Sequence, residues 1–465
     1  MKKKIQILLA LFLLAGCAPA EKEPAPVPDP SVTAETETPA SAAPAPAAMA
    51  EAVKAEYPEI REYPIREDFA SDNEWFDAQS EWYQNRFESK EQSQPYVSLI
   101  GGFSEKVRPV LLNADETENS LYAPLNLYIA LSMLAECTGG NTEKQIMDLL
   151  GVGSVQELRT AIPALWKTNY STGKGLTSIL SDSVWIDQGY PVREELLKNL
   201  AEYYYADSYY GEAGSAEMNA ALQAWLNEAT GGLLKDQAEQ IELSELTRLA
   251  LASAILYKAK WMDEFDPLNT DEGIFHAPQG DVPCEMMHAL RLGTYYYFDS
   301  YSAISLPLEN SGAMYFFLPD EDVDVRELLN EKTVSQVLTE YDIAGHTAYS
   351  KIDMSIPKLD ILSDRDLRED LKTLGITDVF DRNVSDFTPL SDEKGITLDQ
   401  AVHAARLTTD EEGVFAAAFT VLAAAGAGMP PEEIIPFSLD RPFYFALTSY
   451  DGSILFEGIV NHPKD

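Results

Sequence analysis

The sequence that decides the fold is Ser253-Ala254-Ile255-Leu256-Tyr257-Lys258-Ala259-Lys260-Trp261. It belongs to an apolar run that begins at Leu249, and the length and aliphatic character of that run are typical of a buried β-strand. Phe265, Thr270 and Phe275 follow the tryptophan at short intervals. The stretch therefore predicts a central strand that leads into a second extended region.

Helical patterns come before most of the strand-like runs. Residues 97–112 predict an amphipathic helix, and a long apolar helix passes through Met133 and Leu134 to the break at Gly139-Gly140. The C-terminal residues alternate around Asp451-Gly452, which is a strong hairpin signal. This order of elements predicts an α+β fold. The strand-like runs are residues 179–186, 249–257, 313–318 and 349–356.

The N-terminus carries the features of an export signal. Lys2, Lys3 and Lys4 precede residues 5–14, which are apolar apart from Gln6 but too few to span a bilayer. Leu14-Ala15-Gly16-Cys17 resembles the bacterial lipobox, so residues 1–16 predict a lipoprotein signal peptide and Cys17 a lipidation site. The chain would then be exported and anchored to the outer face of the cytoplasmic membrane, or to an outer membrane if one exists. The alternative is an ordinary secretory signal with an incidental cysteine.

The rest of the chain divides by composition. Residues 17–56 are rich in proline and alanine and predict a semi-rigid linker. Residues 57–94 are aromatic and acidic, and they predict either an extra helical collar or a segment that packs on the domain. Residues 95–465 predict one large globular domain.

Composition excludes several classes of function. The formal net charge of −42 argues against binding nucleic acid, and its spread along the chain favours a solvated surface. With Cys17 as an anchor, Cys137 and Cys284 remain, which is too few for a disulfide scaffold. Gly-x-Ser-x-Gly, His-Glu-x-x-His and Cys-x-x-Cys do not occur. The sequence thus predicts no catalytic residue, no metal and no cofactor.

Short motifs on both sides of the central stretch occur in one order over about 370 residues. Together they resemble the motifs of the serpins, a family of serine protease inhibitors. The motifs are Asn119-Ser120-Leu121-Tyr122-Ala123-Pro124, Leu149-Leu150-Gly151, Ile304-Ser305-Leu306-Pro307, Phe317-Leu318-Pro319, Ile356-Pro357-Lys358, Asp386-Phe387, Glu411-Glu412-Gly413 and Arg441-Pro442-Phe443.

The resemblance implies a serpin fold: N-terminal helices, three β-sheets with a large central sheet A, and an exposed reactive-centre loop. It also implies a monomer that acts as a suicide substrate. The target serine protease would form a covalent acyl complex with the cleaved loop, which then inserts into sheet A. Contact with the membrane would be through the lipid anchor alone.

The resemblance places the loop hinge at Glu411, Glu412 and Gly413. A loop that becomes a central strand needs small or β-branched side chains on its buried face. The inward positions and the neighbouring Ala417 meet this condition, which favours an inhibitor; the alternative is a low-complexity linker. Phe415 departs from the family's usual glutamate, on the face expected to stay exposed. The inward residues are Val414, Ala416, Ala418 and Thr420.

Counting from the hinge as the family does predicts Ala427-Gly428 as the reactive bond. Ala425-Gly426 and Met429 are the alternatives, because the loop is a few residues longer than usual and a bond before Pro431 is a poor substrate. No lysine or arginine lies between Arg406 and Arg441. The pocket carboxylate of a trypsin-like protease would therefore lack a partner. Elastase-like or subtilisin-like enzymes are the expected targets.

Four residues are predicted to control the opening of the sheet by resemblance: Asn126, Ser253, Trp261 and His403. The family has serine where Asn126 stands and asparagine where Ser253 stands. This exchange predicts that the two side chains lie within hydrogen-bond reach of each other or of His403.

Three other functions remain open at this point. An enzyme has no motif in its favour. A lipoprotein that binds solutes would share the anchor, the linker and the acidity, but it would not need a small-residue hinge. A non-inhibitory serpin would serve as a surface binding protein.

Overall fold

The helices lie mainly in the first half of the computed structural model. The structure describes residues 50–58, 62–113, 117–173, 175–340, 342–398, 401–414 and 433–464. Within these residues the α-helices are α1 (Asp72–Leu111), α2 (Pro124–Cys137), α3 (Gly140–Leu150), α4 (Val155–Asn169), α5 (Glu194–Tyr204), α6 (Ala216–Ala229), α7 (Lys235–Ala238), α8 (Lys332–Thr339) and α9 (Arg368–Thr373). No helix in this part of the chain is long and apolar enough to cross a membrane.

Local sequence sets several helix ends. Ser154 caps α4 by accepting a hydrogen bond from the Glu157 backbone N–H, and Pro124 occupies the first position of α2, where no N–H is needed. The predicted helix of residues 97–112 is the second half of α1, which begins 25 residues earlier, after the cap Ser71. Periodicity did not predict the first half because its side chains are mostly polar and exposed.

The strands form two hydrogen-bonded sheets in the described chain. They are β1 (Ala50–Val53), β2 (Ser120–Tyr122), β3 (Ser171–Gly173), β4 (Leu176–Asp187), β5 (Ala206–Gly211), β6 (Leu249–Lys260), β7 (Thr270–Ala277), β8 (Gly280–Tyr297), β9 (Tyr301–Pro307), β10 (Ala313–Pro319), β11 (Thr347–Pro357), β12 (Leu359–Asp366), β13 (Val402–Thr409), β14 (Gly413–Val414), β15 (Ile434–Ser438), β16 (Phe443–Thr448) and β17 (Ile454–Val460).

Sheet A has the order β1-β5-β4-β6-β14-β13-β12, with β3 beside β4. The second sheet has the order β15-β11-β8-β9-β10-β16-β17-β2, with β7 beside β8. The α+β fold with a large central sheet is confirmed. The second and third sheets that the resemblance implies are joined here, because β8 is 18 residues long and pairs with β7 and β11 before it reaches β9 at Tyr295–Tyr297.

The segment before α1 adds an edge strand to sheet A. β1 pairs antiparallel with β5, and the Ala55 N–H donates to Asp207 Oδ1 at 2.8 Å. The Tyr57 ring lies against the rings of Trp166 and Tyr205, with centroid distances of 5.6 and 6.2 Å. The last residues of the predicted linker therefore take part in the folded unit, since residues 50–55 pair with the sheet edge.

The main core lies between sheet A and the second sheet, where α2 contacts both β6 and β17. Cys137 is fully buried in α2, as its apolar surroundings in the sequence predict. A second apolar cluster, which includes Trp185 and Trp225, lies on the other face of sheet A under α6. Both faces of β6 are thus covered, which accounts for its continuous apolar character.

One ion pair is enclosed in the main core. Arg108 on α1 and Glu457 on β17 are 1% and 0% exposed, and their Nη2 and Oε1 atoms lie 3.1 Å apart. Ser104 and Tyr444 donate hydrogen bonds to Glu457 at 2.9 and 2.7 Å, and the Tyr122 hydroxyl donates to its second oxygen. The carboxylate is therefore paired and hydrogen-bonded, as a buried charge must be.

Candidate functional site: a hinge and an open slot in sheet A

The hinge begins to insert between two strands of sheet A. The chain leaves β13 at Thr409, turns over Asp410 to Glu412, and re-enters the sheet as β14. Gly413 pairs with Lys260 of β6, and Val414 pairs with Ala259 on one side and Thr409 on the other. The structure thus places the first two residues after the predicted Glu411-Glu412 pair at the head of a gap between β6 and β13.

Asp410 holds this turn. Its Oδ1 accepts hydrogen bonds from the backbone N–H groups of Glu412 and Gly413 at 2.9 and 3.2 Å. The Trp261 indole N–H donates to the Asp410 carbonyl at 2.8 Å. Trp261 therefore lies at the hinge, eight residues along β6 from Ser253, and not in one cluster with the other predicted control residues.

Glu411 is tied to the neighbouring sheet. Its Oε1 accepts from Thr270 Oγ1 at 2.8 Å and lies 2.9 Å from Lys358 Nζ, which also lies 3.1 Å from Glu285. Burial works against ionisation of Glu411, but the bonds from Lys358 and Thr270 outweigh it and hold the pKa below its ordinary value. These contacts fasten the base of the loop at Glu411.

Gly413 is required by the closeness of the β6 backbone. A Cβ atom at this position would lie 2.2 Å from the Ala259 carbonyl oxygen and 2.7 Å from Lys260 Cα. Val414 is 3% exposed and points into the main core, as the inward pattern predicts. The other predicted hinge residues, Ala416, Ala417, Ala418 and Thr420, and the predicted reactive bond Ala427-Gly428 lie outside the described residues, as does Cys17.

We expect Gly413→Ala to expel β14 from the head of the slot, because the added methyl group overlaps backbone atoms that cannot move. The backbone N–H groups of Trp261 and Phe265 donate to the carbonyls of Glu412 and Glu411 at 2.9 and 2.8 Å. Hydrogen exchange at these two amides should accelerate at least about tenfold. The matched control is Gly101→Ala on α1, where nothing lies within 4 Å of the new methyl group. Unchanged protection in G413A would contradict this account.

Beyond Val414, β6 and β13 are not paired to each other in the described chain. Residues 249–258 of β6 pair with β4 and residues 402–408 of β13 with β12, so each strand turns one edge toward the gap. A cavity passes through the sheet here, from Asn126 and Phe456 on the inner side to Leu233 and Ala238 beside α6 and α7. Unpaired edges inside a sheet are a template for another strand.

Three of the predicted control residues meet in this cavity. Asn126 Nδ2 donates to Ser253 Oγ at 2.9 Å, which confirms the predicted exchange of partners. His403 Nε2 accepts from the Ala123 backbone N–H at 3.0 Å, so its proton is on Nδ1 when the ring is neutral. Burial lowers the pKa of His403 to about 4, which keeps the ring neutral near pH 7. Their role in sheet opening stays a prediction.

Asp182 on β4, which lies directly opposite Ser253, was not among the predicted site residues. It is 2% exposed, and its Oδ1 has no hydrogen-bond partner among the described residues. Burial raises the pKa of Asp182 to about 7, and a hydrogen bond with Ser253 lowers it only in part. An acidic residue inside the predicted strand of residues 179–186 was the available signal.

We expect Asp182→Asn to stabilise the protein at pH 8 by about 1–3 kcal/mol, on the basis of about 1.4 kcal/mol per pKa unit. The pKa of Asp182 rises from 3.8 to about 7 on folding, so wild-type stability falls as the pH rises through this window. His403 acts in the opposite sense, because its pKa falls from 6.5 to about 4 and stability is lost as the pH falls through that range.

Thermal unfolding midpoints from pH 4 to pH 8 measure the Asp182 effect. The difference between D182N and wild type should grow with pH and level off above pH 7. Asp187→Asn serves as a control from the same strand, because the Asp187 side chain is only 17% exposed but pairs with Arg248 at 2.9 Å. A difference between D182N and wild type that is independent of pH would contradict the pKa assignment.

The outward face of sheet A is not open along the whole slot. Ala254 is 6% exposed and packs in the apolar cluster under α6. A strand that continued the register of Val414 would bring Phe419 opposite Ala254, and Phe415 opposite Lys258, which is only partly buried. Ala254 is covered by the cluster under α6, so α6 would have to move for a strand to enter at this level. The expected exposure of Phe415 stays a prediction.

The family comparison agrees with this geometry. A family model described as Serpin (serine protease inhibitor) matches residues 101–463. The chain belongs to the serpin family. Members of this serpin family are generally inhibitors rather than enzymes, and many inhibit serine proteases.

Curated relatives match most of the length of this serpin. Neuroserpin of Gallus gallus is 29% identical over 383 residues, which cover 78% of this chain and 91% of that protein. Plasminogen activator inhibitor 1 of Sus scrofa is 26% identical over 379 residues, which cover 78% and 92%.

Solved structures share the fold of this serpin. The native state of tengpin, a thermophilic serpin, matches with a TM-score of 0.69 at 22% identity and covers 79% of this chain and 94% of its own. Thyroxine-binding globulin in complex with thyroxine matches with a TM-score of 0.64 at 22% identity, covering 79% and 99%. At these identities the likeness shows the fold alone.

Proposed function

We propose that this serpin inhibits serine endopeptidases by inserting its cleaved loop into sheet A, and that its targets are elastase-like or subtilisin-like enzymes. The observation that carries the proposal is the position of β14. Two residues of the loop already pair at the head of a gap whose two sides are unpaired strand edges within the described chain. β14 runs antiparallel to both β6 and β13, so a strand that continued it would lie between them.

The register of β14 predicts where each inserted residue would lie. Continuing from Val414, Ala416 would lie opposite Tyr257, Ala418 opposite Ile255, and Thr420 opposite Ser253 on β6. On the β13 side, Thr420 would lie opposite His403. The only polar residue of the inward set would therefore arrive at the polar part of the cavity, and the apolar ones would face the apolar core.

Completion of the sheet supplies the driving force. An inserted strand would pair with both β6 and β13, and each backbone hydrogen bond contributes about 1 kcal/mol net. At ~3.3 Å per residue, a fifteen-residue insertion would span about 50 Å. The uncleaved fold would thus be a kinetic trap that cleavage releases.

The chemistry belongs to the protease. Its serine Oγ would attack the carbonyl carbon of Ala427, and the Ala427–Gly428 C–N bond would break as the Gly428 nitrogen leaves with a proton from the protease histidine. Insertion of residues 415–427 would then carry the acyl-enzyme away from the loop's origin before water can hydrolyse the ester. This serpin would supply no catalytic group and bind no cofactor.

We propose that the mature chain begins at Cys17, carries a lipid there and acts as an extracytoplasmic monomer. The sequence of residues 1–17 supports this assignment, with residues 17–56 as a spacer from the membrane. Radiolabelled palmitate should be incorporated by the wild type and not by Cys17→Ser. Equal labelling of both would contradict the anchor.

A denaturing gel tests the inhibitory function. The full chain should form a covalent complex with an elastase-like protease and not with a trypsin-like one. A protease whose catalytic serine is replaced by alanine is the control and should form no complex. Mass measurement of the released C-terminal peptide should place the cut at Ala427-Gly428.

A non-inhibitory binding function is the second candidate. Thyroxine-binding globulin, whose structure was solved with bound thyroxine, shares this fold, and this likeness favours the binding function as the second candidate. Loop cleavage without a covalent complex, and without a gain in heat resistance, would support this second function and contradict inhibition.

A further inference from the structure

A cleft of about 300 Å³ lies between the first half of α1, the end of α4 and the turn after β16. Its lining includes Asn85, Arg86, Lys167 and Tyr450. None of these residues takes part in the hinge or the slot. Half of this lining comes from the helical extension that precedes residue 95.

Arg86 is stacked on two aromatic rings, and among the described residues it forms no ion pair, although the more distant carboxylate of Asp451 acts on it electrostatically. Its guanidinium carbon lies 4.3 Å from the ring centroid of Tyr450 and 4.9 Å from that of Trp82. Within the part of the chain that the structure describes, Arg86 makes no hydrogen bond and no ion pair. The rings fix the plane of the guanidinium and leave its N–H donors at the edge. Burial lowers the pKa of Arg86, because the charged guanidinium loses hydration when it is buried.

Other donors at the cleft are also unused. Asn85 Nδ2 is sealed from solvent and has no hydrogen-bond partner in the described residues. Lys167 has no ion-pair partner there, and Lys90 Nζ lies 4.9 Å from the Tyr450 ring that Arg86 also contacts. Glu88 is the only acid among the described lining residues, and its Oε1 accepts from Gln84 Nε2 at 2.8 Å. Unpaired cations and a buried amide donor thus converge in a protein of net charge −42.

We propose that this cleft binds a soluble small molecule through a phosphoryl group. Arginine matches the paired oxygens of phosphate, and lysine and amide N–H groups complete its coordination. A dianion suits a site with Arg86, Lys167 and Lys90 better than a single carboxylate does. A bilayer rich in anionic lipid is the other source of phosphoryl groups, but its surface would repel a chain of net charge −42. A small ion in the cleft senses only charges within a Debye length of ~8 Å, so the local cations decide its binding.

Calorimetric titration of the full chain with inorganic phosphate at constant ionic strength tests the proposal. One saturable site is expected. Arg86→Gln removes the stacked cation and Asn85→Asp places a carboxylate in the cleft at nearly constant volume, and each should weaken binding at least about tenfold. Arg291→Gln is the matched control, because Arg291 also stacks, 4.2 Å from Phe265, but donates to the Glu264 carbonyl outside the cleft. It should bind within about twofold of wild type.

Three results would overturn the proposal. They are the absence of saturable phosphate binding by the wild type, phosphate binding by R86Q and N85D as tight as that of the wild type, and acetate binding as tight as phosphate binding. Vesicles of phosphatidylglycerol and of phosphatidylcholine separate the two sources. Neither should bind the Cys17→Ser chain, which lacks the proposed lipid anchor. Retention of this chain on phosphatidylglycerol that is lost when Arg86→Gln is added would overturn the soluble assignment. Because the titration needs no protease, its result does not depend on the inhibitory function.

Discussion

Under the proposed inhibitory mechanism, Val414→Arg should turn this serpin into a substrate that is cleaved without forming a covalent complex. Val414 is 3% exposed and pairs with both Ala259 and Thr409 at the head of the slot. Arginine cannot be buried there without a partner, so the first step of insertion would fail while the loop remained open to cleavage. The yield of covalent complex with an elastase-like protease should fall by at least about tenfold, with a matching rise in cleaved serpin.

Val414→Ala is the matched control, because alanine is small, carries no charge and buries no polar group. It should keep complex formation within about threefold of wild type. The gel measures complex and cleaved product in one lane, so loss of folding and loss of insertion are distinguishable. Undiminished complex in V414R would show that insertion does not pass through this position.

Arg108→Met should destabilise the protein by about 3–5 kcal/mol. The change removes the cation that lies 3.1 Å from Glu457, and both side chains are at most 2% exposed. The carboxylate would remain buried with only the hydroxyl donors Ser104, Tyr122 and Tyr444. Urea unfolding followed by tryptophan fluorescence measures the loss as a shift of the main transition.

Lys144→Met is the control for this loss. The Lys144–Asp148 pair is about as close, at 2.5 Å, but its side chains are 63% and 64% exposed. Solvent screens such a pair, so the expected change is below about 0.5 kcal/mol. An equal effect of the two substitutions would contradict the assignment of the stability to burial. The double variant R108M/E457L should recover part of the loss, because it removes the unpaired charge as well.

The sequence predicted those parts of the site that depend on local side-chain size. Alternation of small and β-branched residues after Gly413 indicated which side of the loop faces inward, and Val414 lies there. The reciprocal exchange of residue types at Asn126 and Ser253 indicated a contact, because two polar groups that meet in a core must satisfy each other. The apolar run that includes Ser253–Trp261 likewise predicted a central buried strand, and the structure shows apolar clusters on both of its faces.

The first half of α1 was predicted only as one alternative, the helical collar over residues 57–94, and the strand β1 was not predicted. Residues 72–94 have few apolar positions, so their helical state has no strong 3.6-residue signal, and it continues a helix whose second half is anchored in the core. β1 forms because β5 offers an unpaired edge, which a linker composition does not reveal. Asp182 was missed for a similar reason, since its importance lies in facing Ser253 across β4 and β6.

The sequence by itself determined the strand Leu249–Lys260, the order of motifs around it and the side-chain sizes of the hinge, because each depends on neighbouring residues in the chain. Only the tertiary structure decided how far the loop has entered sheet A and where the sheet remains open. Those properties depend on pairing between β6, β13 and β14. β6 is separated from the other two strands by more than 140 residues of the chain. Hydrogen-bond register between distant strands is set by the packing of the whole core.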